Sequence, residues 1–175
     1  MIMIKHAILL LSFLSISCNC TKNQVNDVVI EKTDSATCPS EGKCTTILIE
    51  NKSLDIKTDD TGAIYYELTN NSKTSVIKFE YKKTVDTTFQ DNNYSEEIVF
   101  EIPNQFEEIN LTDNELKSFK MLFGKHCFCR GQSGIYNIKK GELNLKKDGK
   151  TTSFNLKFEI PNIDHTIKKI SEIIK

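Results

Sequence analysis

The sequence predicts an α+β domain, a mainly antiparallel sheet of about eight or nine strands with two helices packed against it; a β-sandwich with peripheral helices is the alternative. Three observations carry this expectation. Apolar residues recur with period two in several runs, clusters of turn-forming residues separate the runs at short spacing, and only two segments show a helical period.

The strands come first. Ile77, Phe79 and Tyr81 alternate with Val76, Lys78 and Glu80. Ile98, Phe100 and Ile102 alternate with Glu97, Val99 and Glu101. Phe154, Leu156, Phe158 and Ile160 alternate with Asn155, Lys157 and Glu159. Successive side chains of a strand point to opposite faces, so each run is expected to bury one face and wet the other. Half-wet strands of this kind belong to antiparallel sheets. Asp59-Asp60-Thr61-Gly62 divides residues 54–58 from 63–68, and Asn70-Asn71-Ser72 divides the latter from 75–81. Asp148-Gly149 joins 142–146 to 151–160, and Asp-Gly favours a tight hairpin because it tolerates positive φ. The sequence Phe-Glu-Ile-Pro-Asn occurs at 100–104 and again at 158–162. Each proline is expected to stop its strand, since it cannot donate to the ladder.

The first helix is expected to start at Thr112, where Thr112 and Glu115 form a capping box and Leu111 and Leu116 a hydrophobic staple. Leu116, Phe119, Leu122 and Phe123 would line its buried face and Gly124 its left-handed C-cap. The second helix is expected from about residue 163 to the end. Ile163, Ile167, Ile170 and Ile174 share a face there, and Lys168, Lys169 and Lys175 suit the negative end of the helix dipole. Its apolar face is narrow and lacks an aromatic anchor, which argues against a membrane-surface helix. His165 is expected to be solvated near its start.

Ahead of the domain, Lys5 and His6 precede an uncharged apolar run from Ala7 to Ile16. About ten residues suit a signal-peptide core and are half of what a spanning helix needs. The segment Leu14-Ser15-Ile16-Ser17-Cys18 resembles the lipobox of bacterial lipoproteins. Ser17 fills the small position before the cysteine, and Ser15 stands where leucine is usual. The resemblance covers the export segment alone. It implies lipidation of the Cys18 sulfur, cleavage just before it, and acylation of the new amino group with a fatty acid such as palmitate. Several acyl chains give stable anchoring where one binds only reversibly. The resemblance thus implies a signal peptide over 1–17 and lipid on Cys18; the polar stretch behind it and the period-two patterning add a lipid-anchored polar tether over 18–37 and a single β-rich globular domain over 38–175. The implied place is the bacterial cell envelope, held to a membrane through the lipid. Ordinary cleavage at the small-x-small pair Ser15 and Ser17, leaving a soluble periplasmic or secreted protein, stays open.

The formal net charge is −1, from 23 basic and 24 acidic residues that alternate along the chain. Without a basic stripe there is no electrostatic footprint for nucleic acid. Six cysteines are present. Cys18 would carry lipid and Cys20 sits in the tether. For Cys38, Cys44, Cys127 and Cys129 an oxidising compartment implies two disulfides. Pairing Cys127 with Cys129 closes a very small ring, so both are expected to bond across to Cys38 and Cys44. Loops that long would stabilise by about 4.5 kcal/mol for the first bridge. One alternative is a zinc or Cu(I) site built from Cys38, Cys44, His126, Cys127 and Cys129, although the spacing is not that of a standard zinc module. Another is thiol-redox work at Cys127 and Cys129.

No hydrolase elbow, phosphate loop, zinc-protease motif or dinucleotide glycine run occurs. Glu96 and Glu97 are adjacent and would face opposite sides of a strand, which argues against a catalytic dyad. No catalytic residue and no cofactor is expected. The sequence points to a non-enzymatic binding or assembly role in the envelope, with a protein or other envelope component as partner.

Overall fold

The computed structural model describes residues 29–33, 37–84 and 93–175. The expected signal peptide and tether cysteines Cys18 and Cys20 lie outside the described residues. The strands are β1 (Val29–Thr33), β2 (Gly42–Ile49), β3 (Lys52–Thr58), β4 (Ile64–Asn70), β5 (Thr74–Lys83), β6 (Tyr94–Pro103), β7 (Glu108–Thr112), β8 (Leu122–Cys127), β9 (Gly134–Asn137), β10 (Lys140–Asp148), β11 (Thr151–Glu159) and β12 (Lys169–Ile174). They form a six-stranded sheet in the order β1-β2-β5-β6-β8-β9, a four-stranded sheet in the order β12-β11-β10-β7, and the separate hairpin β3-β4. The described pairings are all antiparallel.

The mainly antiparallel β architecture is the one the sequence predicts; the strand number is larger, and the helix content smaller. Period-two patterning puts Ile77, Phe79, Tyr81, Ile98, Phe100 and Phe123 on one face of the large sheet, and Leu143, Leu145, Phe154, Leu156 and Phe158 on the facing side of the small one. The two sets share one core. Phe100 meets Phe154 edge-on at 5.4 Å, and Phe123 meets Phe158 at 5.7 Å. Two open sheets stacked over a common core lie closer to the sandwich alternative than to one sheet backed by helices.

The expected wet face of the large sheet is half covered. Val76, Val99 and Leu122 point away from the main core and form a second, smaller one with Leu54. The β3-β4 hairpin folds over them, with Ile56, Ile64 and Tyr66 at the margin. Lys120 Nζ and the Ser53 hydroxyl both donate to Glu101 Oε2, at 2.9 and 2.6 Å, fixing the hairpin to β6.

Both helix expectations need correction. The first is a 3₁₀ helix, Asp113–Phe119. Glu115 accepts from the Thr112 amide at 2.9 Å and from its hydroxyl at 3.1 Å, so the start signal is used. Leu116 and Phe119 are both buried because residues three apart stack in a 3₁₀ turn. The helix ends at Lys120, φ +49°, not at Gly124. Leu122 and Phe123 belong to β8 and face opposite cores. The second helix is absent; Lys169–Ile174 is a strand paired with β11. Two side chains of the large sheet take the polar groups that a helix would have used. Glu96 accepts the Thr166 and Ile167 amides at 2.6 and 2.8 Å, and Lys125 donates to the Asp164 carbonyl at 2.5 Å. His165 is buried rather than solvated, stacked on Phe158 at 5.2 Å, with Nε2 accepting from the Ile160 amide.

Val29–Thr33, placed in the tether by sequence, pairs with β2 from Val29 opposite Ile49 to Thr33 opposite Thr45. Among the described residues no helix is long and apolar enough to cross a membrane.

Candidate functional site at the end of strand β8

The cross-pairing expected of the cysteines does not form. Cys38 is bonded to Cys44, and Cys127 to Cys129. The strand order supplies the reason. Cys44 lies opposite Tyr81, Tyr81 opposite Glu96, and Glu96 opposite Lys125. Strands β2 and β8 are therefore three strand spacings apart, about 14 Å. A disulfide spans Cα separations below about 7 Å. The pairs that form have Cα separations of 5.7 and 5.2 Å. The same distance keeps Cys38 and Cys44 away from His126, Cys127 and Cys129, so the residues of the metal alternative are not brought together. Among the described residues no group of three or more His, Cys, Asp or Glu is arranged to hold a metal ion.

Glu96 and Glu97 do face opposite sides. Glu96 points into the main core and is fully buried. The neighbouring Tyr94 hydroxyl donates to it. Burial, and then that bond to Glu96, push the Tyr94 hydroxyl up to about 12. Lys125 stands opposite Glu96 on β8, also buried, with Nζ 5.6 Å from the Tyr94 ring centre and donating to Gln132 Oε1 at 2.7 Å.

Glu97, on the other face, is the centre of a charged cluster that sequence reading missed. Lys78 Nζ lies 2.6 Å from its Oε2 and His126 Nε2 lies 3.4 Å from its Oε1. The Tyr66 hydroxyl of the covering hairpin donates to it at 3.3 Å. Gly124 makes this possible. It sits directly opposite Glu97, and a Cβ there would meet Glu97 Cγ at 2.7 Å and His126 Nε2 at 3.0 Å. The sequence signal was available in part: Lys78, Glu97 and His126 all occupy the alternate, nominally wet positions of neighbouring strands. Nothing local announced that a hairpin would cover them.

Glu97 is only 6% exposed. Burial works against its charge, but hydrogen bonds from His126 and Lys78 outweigh it and hold the carboxyl down at about 2. The hydrogen bond to Glu97 raises the His126 imidazole above its ordinary value. A carboxyl lowered in the fold stabilises above its unfolded value of 4.5, and that contribution fades as pH falls towards about 2. A histidine raised in the fold stabilises below 6.5, and its contribution fades as pH rises through the raised value. Glu97→Gln is therefore expected to remove about 2–3 kcal/mol near pH 5–6 and to flatten the acid limb of the stability profile. Urea titrations from about pH 3 to pH 8 measure both. An acid limb unchanged by the substitution would show that the cluster does not form.

Just past this cluster the chain turns outward. Phe128, between the two bonded cysteines, is 89% exposed, and Cys127 and Cys129 are partly exposed. The following loop is tied down. The Gln132 amide donates to the Cys129 carbonyl at 3.1 Å, the Tyr136 hydroxyl to the Gln132 carbonyl at 3.0 Å, and the Ser133 hydroxyl to the Lys125 carbonyl at 3.1 Å. The site thus holds a disulfide at a fixed tip, with Lys125, His126 and Arg130 within three residues of it. No family model, no curated protein and no solved structure matches the chain.

Proposed function

We propose that the protein is an exported lipoprotein of the bacterial cell envelope, anchored through Cys18, with a non-enzymatic binding or assembly role for its β-rich domain. The observation that carries the reading is the lipobox-like segment Leu14-Ser15-Ile16-Ser17-Cys18 behind a short basic and apolar leader. The bonding of Cys38 to Cys44 and of Cys127 to Cys129 supports it, since disulfides persist in oxidising compartments. The partner would be a protein or another envelope component. The outer face of the four-stranded sheet is suited to such contact. There Asn110, Asn144 and Asn155 stand opposite one another across β7, β10 and β11 as an exposed row of hydrogen-bonding groups.

Metabolic labelling with a fatty-acid analogue tests the anchor. The wild-type chain is expected to take up label and partition with membranes, and Cys18→Ala to do neither. Equal labelling of the two, or none in either, overturns the lipoprotein reading and leaves ordinary cleavage to a soluble periplasmic or secreted form.

A further inference from the structure

The two disulfides sit in different surroundings. Cys44 is 3% exposed in the main core, and its bond to Cys38 closes a loop across six positions at the entrance to β2. The other bond spans two positions at a solvent-facing tip. Residues two apart on an extended strand lie about 6.6 Å apart, yet Cys127 and Cys129 have Cα atoms 5.2 Å apart, and β8 ends at Cys127. Opening this ring frees the strand end from a covalent constraint, whereas the hydrogen bonds that fix residues 129–133 do not pass through the sulfurs.

Three basic residues lie near the tip, and one of them, His126, is paired with the Glu97 carboxylate at 3.4 Å. Lys125 lies two residues before Cys127 on the same side of β8, His126 and Arg130 flank the pair, and nearby cations favour a thiolate. The Glu97 hydrogen bond keeps the imidazole of His126 protonated to higher pH than usual. Phe128 supplies an apolar contact beside the sulfurs.

We propose that Cys127–Cys129 is a thiol–disulfide exchange site that accepts two electrons from dithiols of flexible polypeptides, with Cys129 the sulfur attacked and Cys127 the leaving thiolate. A substrate thiolate forms a bond to Cys129 Sγ as the Cys127–Cys129 bond breaks. The electron pair departs on Cys127, two residues after Lys125 on the same side of β8, and is protonated from solvent. The second substrate thiolate then attacks the substrate sulfur of the mixed disulfide and releases Cys129. The substrate dithiol becomes a disulfide, and the pair becomes two thiols. Reverse exchange with another disulfide of the compartment restores the pair. This activity keeps the lipid anchor of the reading above and replaces its non-enzymatic role for the domain; it does not depend on acylation, because exchange is read on purified protein whichever way the labelling falls.

The full chain, exported by its own leader and purified in detergent, would be mixed with an unstructured reduced peptide carrying two cysteines, then quenched with acid, alkylated and mapped. The expected result is peptide disulfide formed in step with loss of Cys127–Cys129, at least about tenfold faster than any loss of Cys38–Cys44. The Cys127→Ser/Cys129→Ser protein is expected to oxidise no peptide while keeping Cys38–Cys44 and the wild-type fold by circular dichroism. With a single-cysteine peptide, the trapped adduct is expected on Cys129. Absence of peptide oxidation, or equal opening of both disulfides, overturns the proposal. An adduct confined to Cys127 overturns the assignment of the leaving sulfur.

Discussion

A Phe123→Ala protein is expected to lose about 3–5 kcal/mol of stability, the range for removing a fully enclosed aromatic ring. Phe123 is completely buried and stands where β8 faces β11. Its ring lies 5.7 Å from Phe158, 5.2 Å from His165 and 6.4 Å from Tyr136, centre to centre. It therefore joins the two sheets and the buried His165 of the connection between β11 and β12. The void left by alanine cannot close without moving one sheet relative to the other, and that resistance is what makes such substitutions costly. The urea midpoint should fall with the slope unchanged. A loss below about 1 kcal/mol would mean that this end of the core collapses freely around the smaller side chain.

Gly141→Ala is expected to cost more than about 3 kcal/mol by a different route. Gly141 has φ +151°, a backbone state that L side chains rarely adopt, and it lies opposite Phe158 in the β10–β11 ladder. A Cβ there would stand 2.2 Å from the Lys157 carbonyl oxygen and 2.9 Å from Phe158 Cα. Both are backbone atoms, so one strand must shift at its hydrogen-bonded partner. Gly62 is the control. It has φ +85° in the β3–β4 turn with open space around it, so alanine there meets the conformational cost alone, about 1 kcal/mol. Thermal melts of the two variants separate the effects. Equal losses at the two positions would show that the close approach at Gly141 contributes nothing.

Much of the strand framework was legible because period two is a local property. The Asp148-Gly149 turn joins β10 to β11 with Gly149 at φ +57°, and Asp59 caps its own turn by accepting from the Thr61 and Ala63 amides. The C-terminal segment misled for a physical reason. Ile163, Ile167, Ile170 and Ile174 have helical spacing, and all four are at least partly buried, but the last two enter the core from a strand. Glu172 occupies the inward position between Ile170 and Ile174, so the alternation was hidden behind a charged residue. β-branched side chains favour the strand, and β11 needed a neighbour for its outer ladder. The cross-pairing expected of the cysteines follows from ring size, which carries no information on the strand order that separates β2 from β8. The Glu97 cluster depends on a hairpin whose Tyr66 lies 31 positions before Glu97 folding across the large sheet, which no local window contains.

The Cys38–Cys44 bond has a mechanical consequence for any pull applied ahead of Val29. β1 is an outermost strand of the large sheet and runs antiparallel to β2, with Val29 paired to Ile49 at the far end of the ladder. Tension there would peel β1 away one residue pair at a time, starting from Val29, so each step opposes only a few hydrogen bonds. Peeling stops at Cys38. Force then passes through sulfur into Cys44, skipping Pro39 to Lys43, and meets a strand whose side chain is sunk in the main core beside Tyr81. The first strand thus serves as a short length of slack, and the disulfide as the knot that ends it before the stacked sheets are disturbed.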